Sequence, residues 1–395
     1  MTATQQTIDL FDKYVIGNYT RLPRVIVKGQ GCYFWDADGN KILDMFPGWG
    51  VSAIGHCHQR VVEALRKQAG QLIHMDNTFY CDPQGKLAGL LSTRAFGGKC
   101  FFCNSGAEAN EAALKLARLH TPQKKYKFIT AEGSFHGRTF ATLTATAQPK
   151  YHKGIMPLLP GFIYVPFNDT QSLEAAMSDE VAAVMLEPIQ GEGGINVADE
   201  KYLQHARHLC DENKALLIFD EVQTGIGRTG KWFAYQHSDV VPDIITMAKS
   251  LGGGTAIGAM MAKNEVAGSL TPGTHASTFG GNSLACAAAI AVIEAIDEEN
   301  LLENAAEIGE YARQKLTELT GKHSVIKNVR GIGLMTGIQL SVNGADIVSK
   351  ALEAGLRINC TNETVLRFMP PMIATKNQIA EAVEILDGVL TEMQK

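Results

Sequence analysis

The feature that most constrains this 395-residue chain is the stretch from Leu216 to Gly254. An apolar run opens it at 216–219 and a second closes it at 244–247. Both are too short and too unbroken for an amphipathic helix. Continuous apolar runs without period-two alternation belong to strands buried on both faces, so they predict parallel strands covered by helices. Asp220 follows the first run and Lys249 lies just beyond the second. In open α/β sheets, ligands sit beyond the carboxyl ends of the strands. The chain therefore delivers one acid and one amine to that side. The glycine run 252–254 lets a backbone or a ligand come close.

An amine and an acid placed this way suit a cofactor with a carbonyl and a basic ring nitrogen. Pyridoxal 5′-phosphate has both. Lys249 would bond to its aldehyde, and Asp220 would keep the pyridine nitrogen protonated so that the ring accepts carbanion charge. An ordinary ion pair at the strand ends uses the same two residues.

Other strand ends repeat the pattern. Cys103 to Asn110 joins a strand to a helix over 107–119, where Ser105, Gly106 and Ala107 form a strand–turn–helix start. Free amides at a helix N-terminus cradle phosphate, although a plain N-cap uses the same residue types. A strand at 126–130 leads into Gly133–Thr139, which places Phe135 and His136 beside Arg138. Aromatic side chains stack on flat rings, and a guanidinium grips a carboxylate. A buried strand at 181–186 ends in Glu187 and a glycine-rich loop. Strands alternating with helices predict an α/β fold with a mostly parallel sheet.

The flanking parts read differently. The N-terminus predicts a helix within 1–18, a hairpin from 25–27 and 32–35, and a turn at 36–40. A polar, glycine-rich loop covers 275–283. Helices are expected at about 283–297, 301–319 and 376–392, and strands at 332–340 and 365–369. The predicted organisation is an N-terminal segment, 1–50, joining a small α+β domain at 291–395, with a large domain at 51–290 between them. Arg367 lies in an apolar strand, where a buried guanidinium needs an anion, whether from an internal acid or a ligand.

Composition excludes several classes. The formal charge is −5 and no basic stripe occurs, which argues against nucleic acid as a partner. No apolar run approaches 18 residues, so no membrane span is expected. The N-terminus lacks a cationic start and an apolar core for a signal peptide, which points to the cytoplasm. Eight cysteines in this length do not make a disulfide scaffold. Cys100 and Cys103 form a CxxC, but within a strand, where residues three apart face opposite ways. No metal site is expected. The GxGxxG of Gly225–Gly230 would suit a non-catalytic nucleotide-binding protein, but it does not leave a strand directly and no clear helix follows.

Taken together, five segments resemble one family. They are Asn104–Asn110, Phe135–Arg138, Asp220–Gln223, Ala248–Gly254 and Ser277–Asn282. The family is the class III, ornithine-type pyridoxal-phosphate aminotransferases, with the type I fold of aspartate aminotransferase. The resemblance runs from Tyr19 to Arg367. Within the family the chain is most similar to members acting on N-acetylornithine, which share its length and its Phe-His-Gly-Arg.

The resemblance implies roles. Lys249 holds the cofactor covalently and, once released, moves the substrate proton, while Asp220 pairs with the ring nitrogen. Val222 and Phe135 pack on the two ring faces, with His136 in the same cofactor-contacting segment and Gln223 near the phenolic oxygen. Ser105, Gly106 and Ala107 bind the phosphate. Thr278 reaches it from the neighbouring subunit, implying a homodimer with the active site at the interface. Arg138 and Tyr19 grip the donor's α-carboxylate, and Ser277 touches the donor. Arg367 anchors the α-carboxylate of glutamate and 2-oxoglutarate, and Glu187 masks it while the donor reacts at its far amine. Trp49 departs from the expected pattern: acetylornithine members carry a small aliphatic residue there, and ornithine members a tyrosine. The donor is therefore open among acetylornithine, ornithine, succinylornithine, a longer lysine precursor and 4-aminobutyrate. An aminomutase similar to glutamate-1-semialdehyde aminomutase is disfavoured by the two arginines.

Overall fold

The computed structural model describes residues 2–393. Its centre is a seven-stranded sheet in the spatial order Lys99–Cys103, Gly258–Ala262, Ile244–Met247, Leu216–Asp220, Val181–Leu186, Lys127–Ala131 and Phe162–Val165. The five strands from Ile244–Met247 to Phe162–Val165 run parallel, and Gly258–Ala262 is antiparallel to both of its neighbours. Every residue of Val181–Leu186, Leu216–Asp220 and Ile244–Met247 is buried, as strands covered on both faces must be. One cover is the helix Gly106–His120, whose Ala112, Ala113, Leu116 and Ala117 are fully buried.

A charged clamp starts the central strands. Asp243 accepts the Leu217 amide at 2.9 Å, Arg207 at 2.7 Å and Lys263 at 2.9 Å. It fixes the register in which Asp220 and Thr246 sit opposite each other.

The N-terminal strands Ile26–Gln30, Tyr33–Asp36 and Lys41–Asp44 form a second sheet, which Leu356–Arg357 joins in parallel to Lys41–Asp44. A third sheet holds Ile326–Ile332, Met335–Leu340, Val365–Phe368 and Asn359–Thr361. The helices Leu301–Glu318 and Lys376–Met393 pack together over this region.

Several expectations are refined. The first helix is Ala3–Tyr14; Phe11 and Tyr14 are exposed, and no residue of the helix is buried. The expected strand at 332–340 is a hairpin, turning at the glycine-bearing 333–334. The Asp36–Asn40 segment is a turn closed on Asp36, which accepts the amides of Asp38 and Asn40. Gly227 and Gly230 take positive φ. A Cβ would meet Met372 at 2.4 Å on the first and Ala306 at 2.9 Å on the second. The GxGxxG thus serves close packing against the C-terminal elements. Among the described residues, no helix is long and apolar enough to cross a membrane.

Candidate active site

The carboxyl ends of the central strands open into a cavity of about 420 Å³. Asp220 and Lys249 both line it, with Ser105, Gly106 and Ala107 in its wall.

Asp220 is 3% exposed and held on both oxygens. The Val222 amide donates to Oδ1 at 3.0 Å. Oδ2 takes the Asn110 amide group at 2.8 Å and His136 Nδ1 at 2.8 Å. Burial alone would lower the His136 pKa, but the bond and charge of Asp220 outweigh it and raise it. Asn110 also donates to the His136 carbonyl at 2.7 Å, which locks acid and imidazole together. Asn110 is a site residue that motif reading passed over. Its signal was present: it lies one turn into the helix, at the end of the Asn104–Asn110 segment.

Lys249 lies at φ +38, in the left-handed region that disfavours a side chain. Its amine makes no hydrogen bond or ion pair among the described residues. Burial pushes its pKa below the usual range, against the pull of Glu192 and Asp220. A strained, desolvated amine in a cleft is a functional arrangement rather than a packing one.

The helix start is capped and open at once. Ser105 Oγ accepts the Glu108 amide at 3.2 Å, so the N-cap reading holds. Gly106 and Ala107 supply the first helical amides, which have no carbonyl one turn back to bond. A Cβ on Gly106 would lie 2.6 Å from Val222 Cγ1, so the absent side chain keeps this wall open. Free amides at a helix start, a buried acid and an unpartnered amine on one cavity fit pyridoxal phosphate. Phe135, His136, Val222 and Gln223 line the same space.

Arg138 also lines the cavity and has no acid partner among the described residues. Its guanidinium lies 3.9 Å from the Tyr151 ring centroid and 5.7 Å from that of Phe135. Arg367 is 1% exposed. Its Nε and Nη2 donate to Asn359 Oδ1 at 2.8 and 2.5 Å, and Phe46 lies under it at 4.6 Å.

The acid on Arg367 is Glu192, not Glu187. Glu187 ends the strand Val181–Leu186 and is tied down where it stands, accepting the amides of Phe135 at 2.9 Å and Gly191 at 3.3 Å. Five residues on, Glu192 rides the glycine-rich loop out to Arg367. Burial pushes its carboxyl up, but the Arg367 charge and bond outweigh that and hold it below the ordinary value. Glu187 is pushed up, chiefly by burial, with Asp220 adding to the effect and His136 opposing it.

Five predicted residues are not in this cavity's lining in the single chain: Arg367, which meets it through Glu192, and four that lie further off. Tyr19 is 66% exposed on the N-terminal connector. Trp49 lines a neighbouring cavity of about 310 Å³, with its indole edge-on to Phe46 at 6.0 Å and its backbone at φ +58. Ser277 sits behind the helix start, where Oγ takes Asn104 Nδ2 at 3.3 Å and the Gly280 amide at 3.1 Å. Thr278 beside it is exposed.

Residues 14–390 match the aminotransferase class-III family, and the chain belongs to it. This family uses pyridoxal phosphate, and the type I fold accounts for the mostly parallel sheet. Among its relatives, the acetylornithine aminotransferase of Caldanaerobacter subterraneus subsp. tengcongensis is 54% identical, over 97% of this chain and 98% of that one. The acetylornithine aminotransferase of Methanocaldococcus jannaschii is 52% identical, over 98% of each. Among solved structures, the ornithine aminotransferase of Toxoplasma gondii superposes with a TM-score of 0.95 at 36% identity, covering 100% of this chain and 96% of that one.

Proposed function

We propose that this enzyme transfers the terminal amine of N-acetylornithine to 2-oxoglutarate, giving N-acetylglutamate semialdehyde and glutamate, a reaction of arginine biosynthesis. The observation that carries this reading is that Arg138 lines the cavity unpaired by any acid among the described residues, while Glu192, in the same wall, is paired with the buried Arg367. The donor presents its far amine, whereas glutamate presents its α-amine. One site must therefore hold a carboxylate at two distances. With the Glu192–Arg367 pair closed, Arg138 receives the long donor, aided by Tyr19 and Ser277. With the pair open, Arg367 receives glutamate or 2-oxoglutarate.

Bound pyridoxal phosphate supplies an electron sink that lets the carbon bearing the amine lose a proton. The chain's residues do the rest. Ser105, Gly106 and Ala107 would hold the phosphate. Asp220, fixed by Val222, Asn110 and His136, would keep the ring nitrogen protonated. Val222 and Phe135 would flank the ring, and Gln223 would serve its hydroxyl. Lys249 takes and returns the proton at the substrate carbon, a role suited by the burial that lowers its pKa.

The same reading places the enzyme in the cytoplasm as a homodimer, Thr278 of each subunit reaching the other's phosphate. Thr278 is exposed in a segment that also exposes Phe279, and Asn77, which precedes the exposed Phe79 and Tyr80, donates to the Ser277 and Gly280 carbonyls of that segment. Exposed aromatics in such number mark a contact surface.

Trp49 favours a second reading, with free ornithine as donor, because an aromatic residue at this position is the pattern of ornithine enzymes. Half-reactions separate the two. The purified enzyme is mixed with N-acetylornithine, ornithine or 4-aminobutyrate, and loss of its visible band is followed. Fastest bleaching by acetylornithine supports the first reading. Faster bleaching by ornithine keeps the mechanism and moves the donor. A protein without a visible band overturns both.

A further inference from the structure

Arg138 is an exposed cation with no ionic partner among the described residues, yet its guanidinium is stacked. Tyr151 presents a ring face to it at 3.9 Å, and Phe135 meets the Tyr151 ring edge-on at 5.6 Å and 78°. Tyr151 belongs to a short helix, Pro149–His152, tied at its start to the loop that carries Arg138 and at its end to the helix Phe140–Ala145 that follows that loop. Gln148 donates to the carbonyls of Gly133 and Ser134, each at 3.0 Å. His152 Nε2 bonds the Thr146 carbonyl at 2.7 Å. The ring is therefore a fixed platform, whereas the arginine is a long side chain with several free torsions.

An unrestrained guanidinium loses rotamer freedom each time it captures a carboxylate. A cation held over an aromatic face has lost much of that freedom beforehand. The ring face suits the task better than an acid would. A carboxylate partner would compete with the substrate, as Glu192 does on Arg367, whereas a ring leaves the edge of the guanidinium free for a bidentate grip.

We infer that Tyr151 is a positioning residue for donor selection: its ring holds Arg138 in the orientation that captures the donor's α-carboxylate. This rests on the reading of Arg138 given above. Glutamate binds at Arg367, which has its own restraints in Asn359 and Glu192, so Tyr151 bears on the long donor.

The test compares the holoenzyme with Tyr151→Phe and Tyr151→Leu, using N-acetylornithine and its decarboxylated analogue N-acetylputrescine. Both amines present the same far nitrogen, and only the first has the carboxylate. Tyr151→Phe keeps the face and stays within about twofold of the parent. Tyr151→Leu raises KM for N-acetylornithine by about fivefold, the weight of one cation–π contact, with kcat little changed. Its kcat/KM for N-acetylputrescine stays at the parent value. A Leu variant that loses equally on both amines refutes the platform, as does a Phe variant as impaired as Leu, which would assign the role to the hydroxyl. If the parent enzyme does not itself prefer N-acetylornithine, the Arg138 reading fails and this inference fails with it. An unchanged visible band in both variants certifies that the fold and cofactor site are intact.

Discussion

Replacing Glu192 by Gln tests the switch. Arg367 is wholly buried, and Glu192 is its sole carboxylate among the described residues. A hydrogen bond between charged groups contributes about 1.5–3 kcal/mol. Glutamate and 2-oxoglutarate must displace that bond to reach the guanidinium. The released Glu192 recovers part of the loss from water, leaving about 1.4 kcal/mol, or roughly tenfold. Glu192→Gln should therefore lower KM for 2-oxoglutarate about tenfold. It should also make 2-oxoglutarate a stronger competitor of the long donor, because Arg367 then stands open in both halves of the cycle. The variant should stay folded, since Asn359 and the Gly191 carbonyl still satisfy the guanidinium. The assay is stopped-flow bleaching and recovery of the visible band, with donor and keto acid separately and then together. Unchanged constants for both half-reactions would refute the switch. A shift produced by Glu187→Gln and not by Glu192→Gln would refute its location.

Three further outcomes are expected. Gly106→Ala pushes a methyl group to within 2.6 Å of Val222 and crowds the phosphate-facing helix start; it should release pyridoxal phosphate on dialysis, read as loss of the visible band, while the protein stays folded. Asn110→Ala removes one bond from Asp220 and one from the His136 carbonyl; losing two buried bonds at about 1 kcal/mol each should lower stability by about 2 kcal/mol and lower kcat, measured by thermal unfolding and steady-state assay. In Asp243, burial raises the carboxyl pKa, but Lys263, the Leu217 amide and Arg207 together hold it below its usual value. A depressed pKa stabilises the fold above the unfolded value, about 4, and that contribution fades as pH falls through the folded value. Asp243→Asn should cost about 3 kcal/mol at pH 7, and the gap to the parent should narrow in acid below pH ~4, read from unfolding midpoints against pH.

Much of this was legible in the sequence because strands buried on both faces cannot hide. The runs 181–186 and 216–219 are apolar without a break, 244–247 is interrupted only by the buried Thr246, and each leads to a charged residue at a strand end. The strand Gly258–Ala262 escaped notice because Gly-Ala-Met-Met-Ala has no β-branched residue; it is a strand because small side chains let it sit antiparallel between Lys99–Cys103 and Ile244–Met247. Glu187 and Glu192 are five residues apart with a glycine between them, and sequence alone does not say which reaches a strand from another sheet. The backbone amides that tie down Glu187 decide it. Tyr151 carries no motif at all. Its importance comes from the bonds of Gln148 and His152, which are visible only in three dimensions.

The central claim is that Lys249 carries the cofactor. The measurement that tests it most directly is borohydride reduction of the purified holoenzyme, followed by peptide mass mapping. Reduction turns the bond between amine and aldehyde into a stable one. A single modified peptide is expected, containing Lys249 and heavier by the reduced cofactor, with the visible band lost in the same step. A label on any other lysine, or no label on a protein that shows the band, would contradict it.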